Sequence, residues 1–282
     1  VSMPNTNPHV SRLLTFYSQS KRTNAGTRGL DKDSRLTYVE TMLDRALEPA
    51  VLAGQFRLVV ITGNAGDGKT AFLQRLEERA REQQAIIEEL PNGRRFILRG
   101  RRFVTNHDGS QDEGDTASDD VLGAFFAPFA GTDARDWPTD ETRLIAINEG
   151  RLVDFLGANE SRFALLRQVV ERGIAGGAPE HGVAVVNLNL RSVVKDALGY
   201  LSEDGDGDES IFARTVRRFT DPGLWAACED CDIRTRGYAY DNARTFQDPV
   251  AGPKVLKRLK TIYTLTHLRG RMHITLRVMR SA

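Results

Sequence analysis

The decisive stretch of this sequence is FRLVVITGNAGDGKT, residues 56–70. Its first half is short, β-branched and almost entirely apolar, which is typical of a strand buried on both faces. Its second half, residues 63–70, matches the pattern G-x-x-x-x-G-K-[ST]. Glycines let main-chain N–H groups turn inward around phosphate oxygens, and the amino end of a helix favours anions. The stretch therefore predicts a phosphate-binding loop between a buried strand and a helix over residues 70–84.

The residues of this loop have predicted roles in binding a nucleotide and its metal ion. We expect Lys69 to reach the β- and γ-phosphates and the Thr70 hydroxyl to bind Mg²⁺. The nucleotide would be held by all eight residues of the loop, which are Gly63, Asn64, Ala65, Gly66, Asp67, Gly68, Lys69 and Thr70. The expected cofactors are therefore a nucleoside triphosphate and Mg²⁺.

A second buried strand is predicted at residues 144–148, and it ends in the polar pair Asn148-Glu149. We expect Glu149 to polarise the attacking water. Asn148 stands where an aspartate normally orients the water shell of Mg²⁺, and an uncharged amide holds that shell less strongly. An acid from the loop over residues 108–120 is the alternative.

Three further polar residues are candidates for contact with the γ-phosphate. Asn187 and Asn189 follow a third predicted strand over residues 183–188, where either side chain would orient water or cap a helix. Arg277 lies near the start of a predicted helix over residues 274–282. It would either reach the γ-phosphate or lie exposed on an amphipathic helix.

Apolar strands alternate with helical patterns between about residues 56 and 201, which predicts a parallel sheet with helices on both faces. The fold class is thus α/β, a P-loop NTPase sheet sandwiched by helices, followed by a smaller, mostly helical lid. The expected domains are an arm over residues 1–34, a core over 35–204 and the lid over 205–282. Helices are expected at 35–53, 121–129, 191–201, 209–219 and 253–268, two extended stretches at 86–105, and irregular chain at 222–252.

Composition limits the remaining possibilities. A net charge of +1 over 282 residues gives no overall attraction to nucleic acid or membrane. No apolar run approaches the roughly 20 residues that span a bilayer, so we expect no membrane partner. Two cysteines build no disulfide framework, which favours a cytoplasmic location. Because the chain opens at Val1 and stops soon after a patterned segment, we expect it to belong to a longer polypeptide.

Two smaller features each have two interpretations. Cys228 and Cys231 are spaced as a CxxC pair, but a structural zinc site needs four ligands, so two free thiols are the alternative. Five arginines cluster around the turn Pro91-Asn92-Gly93 and would face either a nucleic-acid backbone or solvent. They are Arg94, Arg95, Arg99, Arg101 and Arg102.

Taken together, residues 63–70, 145–149, 187–189 and the segment around Arg277 make the chain resemble the AAA+ and related additional-strand P-loop ATPases. The chain is also similar to ATPase modules of large bacterial phage-defence proteins, in residues 58–70, in Asn148-Glu149-Gly150-Arg151 and in the run from Trp225 through Cys228 and Cys231 to Arg277. Those proteins are of the BREX and phage-growth-limitation types, some of them fused to protein kinases. The resemblance implies ATP rather than GTP, neighbouring subunits as partners, and an arm segment over residues 24–29 that covers the adenine.

An ATPase is therefore the leading functional hypothesis, with hydrolysis driving or gating conformational change in a larger protein. The first alternative is a nucleotide-gated switch or scaffold with little hydrolysis, which the amide of Asn148 favours. The second is a P-loop kinase, for which we identify neither an arginine-rich lid nor an acceptor pocket.

Overall fold

The computed structural model describes residues 7–13, 38–114, 117–195, 210–231, 234, 237–269 and 274–281. The chain divides into two compact units, Met42–Arg191 and a second that joins Val1–Thr41 to Ser192–Ala282. The domain boundaries expected at residues 34 and 204 lie outside the described residues, as does the arm segment 24–29.

Helices and strands are numbered here along the chain. The strands are β1 (Leu58–Thr62), β2 (Ile86–Leu90), β3 (Gly93–Leu98), β4 (Arg101–Asn106), β5 (Glu141–Ile147) and β6 (Val183–Asn187). The helices are α1 (Pro8–Leu13), α2 (Glu48–Leu52), α3 (Lys69–Glu82), α4 (Ser118–Phe126), α5 (Glu149–Ala158), α6 (Glu160–Ile174), α7 (Ile211–Phe219), α8 (Pro222–Trp225), α9 (Tyr238–Gln247), α10 (Ala251–Leu268) and α11 (Leu276–Ser281).

A mostly parallel sheet forms the centre of the unit Met42–Arg191. Its six strands, as far as the structure describes this unit, lie in the order β2-β3-β4-β5-β1-β6. β4, β5, β1 and β6 run parallel to one another, whereas β3 is antiparallel to both β2 and β4. All five residues of β1 are buried, as expected for an interior strand that is covered on both faces.

Helices cover the two faces of this sheet with separate apolar cores. Leu58 and Val60 of β1 point to one face, where they pack in a core with α4, α5 and α6. Val59 and Ile61 point to the other face and pack in a core with α2 and α3. Side chains alternate along a strand, so an uninterrupted apolar run supplies both cores. The predicted α/β layering is confirmed at this level.

Three expectations for secondary structure are wrong or incomplete. The predicted second extended stretch within 86–105 is two strands, because Arg99 and Gly100 turn the chain at φ values of 50° and 79°. The helix expected over 35–53 is a π-helical turn at Leu43–Leu47 followed by the short α2, whose first turn holds Pro49, a residue without an N–H to donate. In the region 222–252, expected to be irregular, α8 and α9 form instead.

The second unit is mostly helical over its described residues. α7, α10 and α11 share one apolar core, and α8 and α9 pack with α1 around Trp225. Asp221 caps α8 by accepting a hydrogen bond from Gly223 N, a local signal that marks a helix start. Residues 191–195 are not helical, and the rest of the helix expected at 191–201 lies outside the described residues. None of the helices that the structure describes is both long and apolar enough to cross a lipid bilayer.

Candidate functional site

The loop of residues 63–70 follows the carboxyl end of β1, an interior strand between β5 and β6, and leads directly into α3. Gly63, Gly66 and Gly68 have φ values of 148°, 92° and 90°, which favour glycine over any other residue. A Cβ on Gly63 would also lie 2.9 Å from Cβ of Leu188. Backbone conformation and close contact thus both require the glycine that the motif supplies.

The charged side chains of this loop are bound within it. Lys69 Nζ donates to the carbonyl oxygens of Gly63 and Asn64, at 2.8 Å and 2.9 Å. Asp67 is only 1% exposed, and its Oδ2 accepts from Asn64 N at 2.8 Å. Arg191, just after β6, donates from Nη2 to the Asp67 carbonyl at 2.8 Å. The Lys69 ammonium sits on a flexible stem, so it can exchange these carbonyls for other oxygens without moving the loop.

Polar residues that follow β5 and β6 meet beside this loop. Thr62, the last residue of β1, pairs with Ile147 on one side and Asn187 on the other, so the three strands end level with one another. Across this edge Asn189 Nδ2 donates to Glu149 Oε2 at 2.7 Å. The structure therefore brings together two of the residues that the sequence singled out.

Asn148 and Asn187 both have local structural partners. Asn148 Oδ1 accepts from Gly150 N at 3.0 Å and thereby caps α5. Asn187 Oδ1 accepts from Asn189 N, and its Nδ2 donates to the carbonyl of Ile174 at the end of α6, each at 3.0 Å. Both polar atoms of the Asn187 side chain thus bond to the main chain, as the capping interpretation expects, and contact with a γ-phosphate stays a prediction.

The carboxyl end of β4 adds His107, which the sequence reasoning did not place at the site, and Asp108, the first residue of the loop that it gave as the alternative source of an acid. Thr70 Oγ1 donates to the His107 carbonyl at 3.0 Å, and Asp108 follows immediately. Asn92 in the β2–β3 turn accepts from His107 N at 2.8 Å and donates from Nδ2 to the Asp108 carbonyl at 2.6 Å. The apolar run Phe103-Val104 ending in polar residues was the available signal. Because only two extended stretches were predicted within residues 86–105, the end of β4 was not recognised as a separate strand end.

A buried carboxylate on α3 holds this strand end in place. Glu77 is completely buried, and its oxygens accept hydrogen bonds from Thr105 Oγ1 and from Arg94 Nη1, the latter at 2.7 Å. His107 Nε2 lies 2.7 Å from Glu77 Oε1. One polar network thus joins α3, β3 and β4. Its centre, Glu77, lies two helical turns after Thr70 on α3.

The charge of Arg94 is stabilised by the same network. Burial alone would lower the pKa of its guanidinium, but the hydrogen bond to Glu89 and the charge of Glu77 outweigh burial and raise the pKa. The other hairpin arginines are also engaged. Their partners are Glu88 for Arg95, Glu141 for Arg102, Gln83 for Arg99, and Thr142 Oγ1 with three carbonyls for Arg101. Arg95 and Arg102 thus have carboxylate partners, whereas Arg99 and Arg101 bond to neutral groups, and contact with a nucleic-acid backbone stays a prediction.

Two candidate sites belong to the second unit, which joins Val1–Thr41 to Ser192–Ala282. Arg277 lies half-buried on α11, and its contact with a γ-phosphate stays a prediction. Cys228 and Cys231 are free thiols, with Cys228 Sγ accepting from Asn7 Nδ2 at 3.1 Å. Within the described ranges no group of three or more His, Cys, Asp or Glu side chains is arranged to hold a metal ion.

Comparison with known proteins returned no match. None of the protein-family models fits the sequence, and none of the curated proteins or solved structures is significantly similar to it.

Proposed function

We propose that this chain binds Mg-ATP in the loop of residues 63–70 and hydrolyses it as an AAA+-like P-loop ATPase module. One observation carries the proposal: a glycine-dependent loop connects the end of the fully buried strand β1 to a helix that begins with Lys69 and Thr70. Inward-turned amides and the positive end of α3 would hold the phosphates, with Lys69 leaving the loop carbonyls for phosphate oxygens.

Glu149 is the proposed general base. It follows β5, the direct neighbour of β1, and Asn189 holds its carboxylate by the bond between Nδ2 and Oε2. The carboxylate would take a proton from water as the water oxygen attacks the γ-phosphorus. The bond from that phosphorus to the β,γ-bridging oxygen would break, and ADP would leave with the electron pair.

For the metal ion we propose Thr70 together with Asp108. Mg²⁺ prefers oxygen ligands and keeps several waters, so one hydroxyl and one carboxylate near the phosphates suffice. Thr70 Oγ1 would exchange the His107 carbonyl for Mg²⁺, and Asp108 is the first carboxylate after β4. Asn148 caps α5 and would contribute only a neutral oxygen to the water shell.

The output of hydrolysis would be a conformational change in a longer polypeptide or in neighbouring subunits. This part of the proposal, together with a role in bacterial defence against phages, is supported by the sequence resemblance alone.

Phosphate release from millimolar Mg-ATP, followed with malachite green, tests the activity. Lys69→Ala removes a cation placed for the transferring phosphate, so the rate should fall by about a hundredfold or more. Lys254→Ala, an exposed lysine on α10, is the matched control and should keep the wild-type rate. Equal phosphate release by wild type and Lys69→Ala would refute hydrolysis at this loop.

A nucleotide-gated switch is the second candidate, favoured by the engagement of Glu149 with Asn189 and of Asn148 with α5. The variant Glu149→Gln separates the two functions. An ATPase should lose about two to four orders of magnitude in turnover while it still binds ATP. A switch should bind ATP equally well with either residue, and both proteins should show the same negligible turnover.

A further inference from the structure

A second candidate binding site lies at the opposite edge of the sheet from the loop of residues 63–70. A cavity of about 630 Å³ opens there, and its lining includes Arg57, Arg101, Asp133, Arg135 and Gly182. Arg57 precedes β1, Arg101 begins β4 and Gly182 precedes β6, so the cavity is at the amino ends of the parallel strands. A five-residue strand rises about 3.3 Å per residue, which separates the two edges by roughly 16 Å.

The cavity contains more positive than negative charge. Among the described residues that line it, Asp133 is the one carboxylate, and it is already paired with Arg135. Arg57 and Arg101 have no carboxylate within ion-pair distance in the part of the chain that the structure describes. Two guanidinium groups therefore line the same concavity without an ion-pair partner among the described residues, although the charge of Asp140 acts on Arg101 from farther away.

Arg57 has N–H groups that bond to no described residue. Its Nη1 donates to the Ala134 carbonyl at 2.7 Å, whereas its Nε and Nη2 have no acceptor among the described residues. Arg101, in contrast, donates hydrogen bonds to Thr142 Oγ1 and to three main-chain carbonyls, and these bonds fix its position. Gly182 has a φ of 78°, and a Cβ at this position would lie only 3.0 Å from Cγ of Arg57. The absence of a side chain at Gly182 therefore makes room for the Arg57 side chain.

The electrostatics favour an anionic occupant. Burial lowers the pKa of Arg101 most, Asp140 opposes that effect, and the positive charge of Arg57 lowers the pKa further. Arg101 nevertheless stays charged at neutral pH, because arginine does not lose its proton in proteins. Two like charges at a partly buried site repel, and an anion between them would relieve that repulsion.

We propose that this cavity binds a small molecule that carries at least two anionic oxygen groups, phosphate or carboxylate, with Arg57 as its main contact. A guanidinium presents N–H donors in a planar fork that matches two oxygens of such a group. The volume lies within the range of roughly 300–1,000 Å³ that small-molecule sites occupy. This inference does not depend on the proposed ATPase activity.

Titration calorimetry with pyrophosphate and with citrate, both without Mg²⁺, tests the site and distinguishes phosphate from carboxylate ligands. The protein is the Lys69→Ala variant, so that binding at the loop of residues 63–70 is weakened. At least one anion should bind saturably with one molecule per chain. Arg57→Gln should weaken that binding by about tenfold or more, and Arg57→Lys, which keeps the charge but loses the fork, should also weaken it.

The control is Arg95→Gln, which removes a surface arginine that pairs with Glu88 outside the cavity and should leave affinity unchanged. An intact-protein readout covers the case in which Arg57 variants unfold: the bound anion should slow the modification of Arg57 by phenylglyoxal, measured by peptide mass spectrometry. The proposal is overturned if neither anion binds saturably, if Arg95→Gln weakens binding as much as Arg57→Gln, or if Arg57 gains no protection.

Discussion

The buried Glu77 network gives the sharpest stability prediction. The substitution Glu77→Gln keeps the shape of the side chain but removes its charge. One amide oxygen cannot replace the two carboxylate oxygens that accept from Arg94 and Thr105 and contact His107. A hydrogen bond to a charged group contributes about 1.5–3 kcal/mol, and a buried group left without its partner costs a similar amount. Arg94 keeps its second partner, Glu89, so not all of its pairing is lost.

We therefore expect Glu77→Gln to lower the free energy of unfolding by about 3 kcal/mol, or roughly 6–12 °C in Tm for a unit of this size. Urea unfolding and differential scanning calorimetry measure the two quantities. Glu88→Gln is the matched control, because Glu88 pairs with Arg95 at 3.2 Å while 58% exposed. It should cost less than about 1 kcal/mol. If the two variants lost the same stability, the central role of burial in this reasoning would be refuted.

Two further predictions concern a loop and a helix start. Gly63→Ala should cost about 1–3 kcal/mol and abolish stabilisation by ATP in thermal shift assays, whereas Gly100→Ala, also at positive φ but with no neighbour within 4 Å, should only lower stability. Hydrogen bonds from Ala251 N and Val250 N lower the pKa of Asp248, so its contribution to stability is present above the ordinary pKa and lost as the pH falls through the lowered one. In urea unfolding, the free energy of unfolding of Asp248→Ala should therefore differ most from that of wild type near pH 7. A difference in this free energy that grows toward pH 3 would contradict the prediction.

The pattern of the sequence was sufficient where a signal is local. The apolar run 58–62 predicted a strand buried on both faces, and the glycines of residues 63–68 predicted a tight turn into a helix. Both are observed. The alternation of apolar strands and helices likewise predicted the parallel α/β sheet. These features depend on backbone conformation and on the period of apolar residues, which neighbouring residues in the chain largely determine.

The partners of the polar side chains could not be read in this way. Glu77 is one of many charged residues on α3, yet it is buried against Thr105 of β4 and His107, which follows that strand. Arg57 stood within the stretch that decided the fold, and its place in a cavity depends on Ala134 and Gly182, far along the chain.

The sequence by itself determined which segments form strand β1, the loop of residues 63–70 and the layered α/β core. Only the tertiary structure decided that β4 lies beside β5, that Asp108 follows the strand whose end Thr70 contacts, and that two arginines share a cavity at the opposite edge. The physical reason is that hydrogen bonds and charge pairs act over a few ångströms in space. Which residues come that close depends on strand order, which no local pattern in the chain specifies.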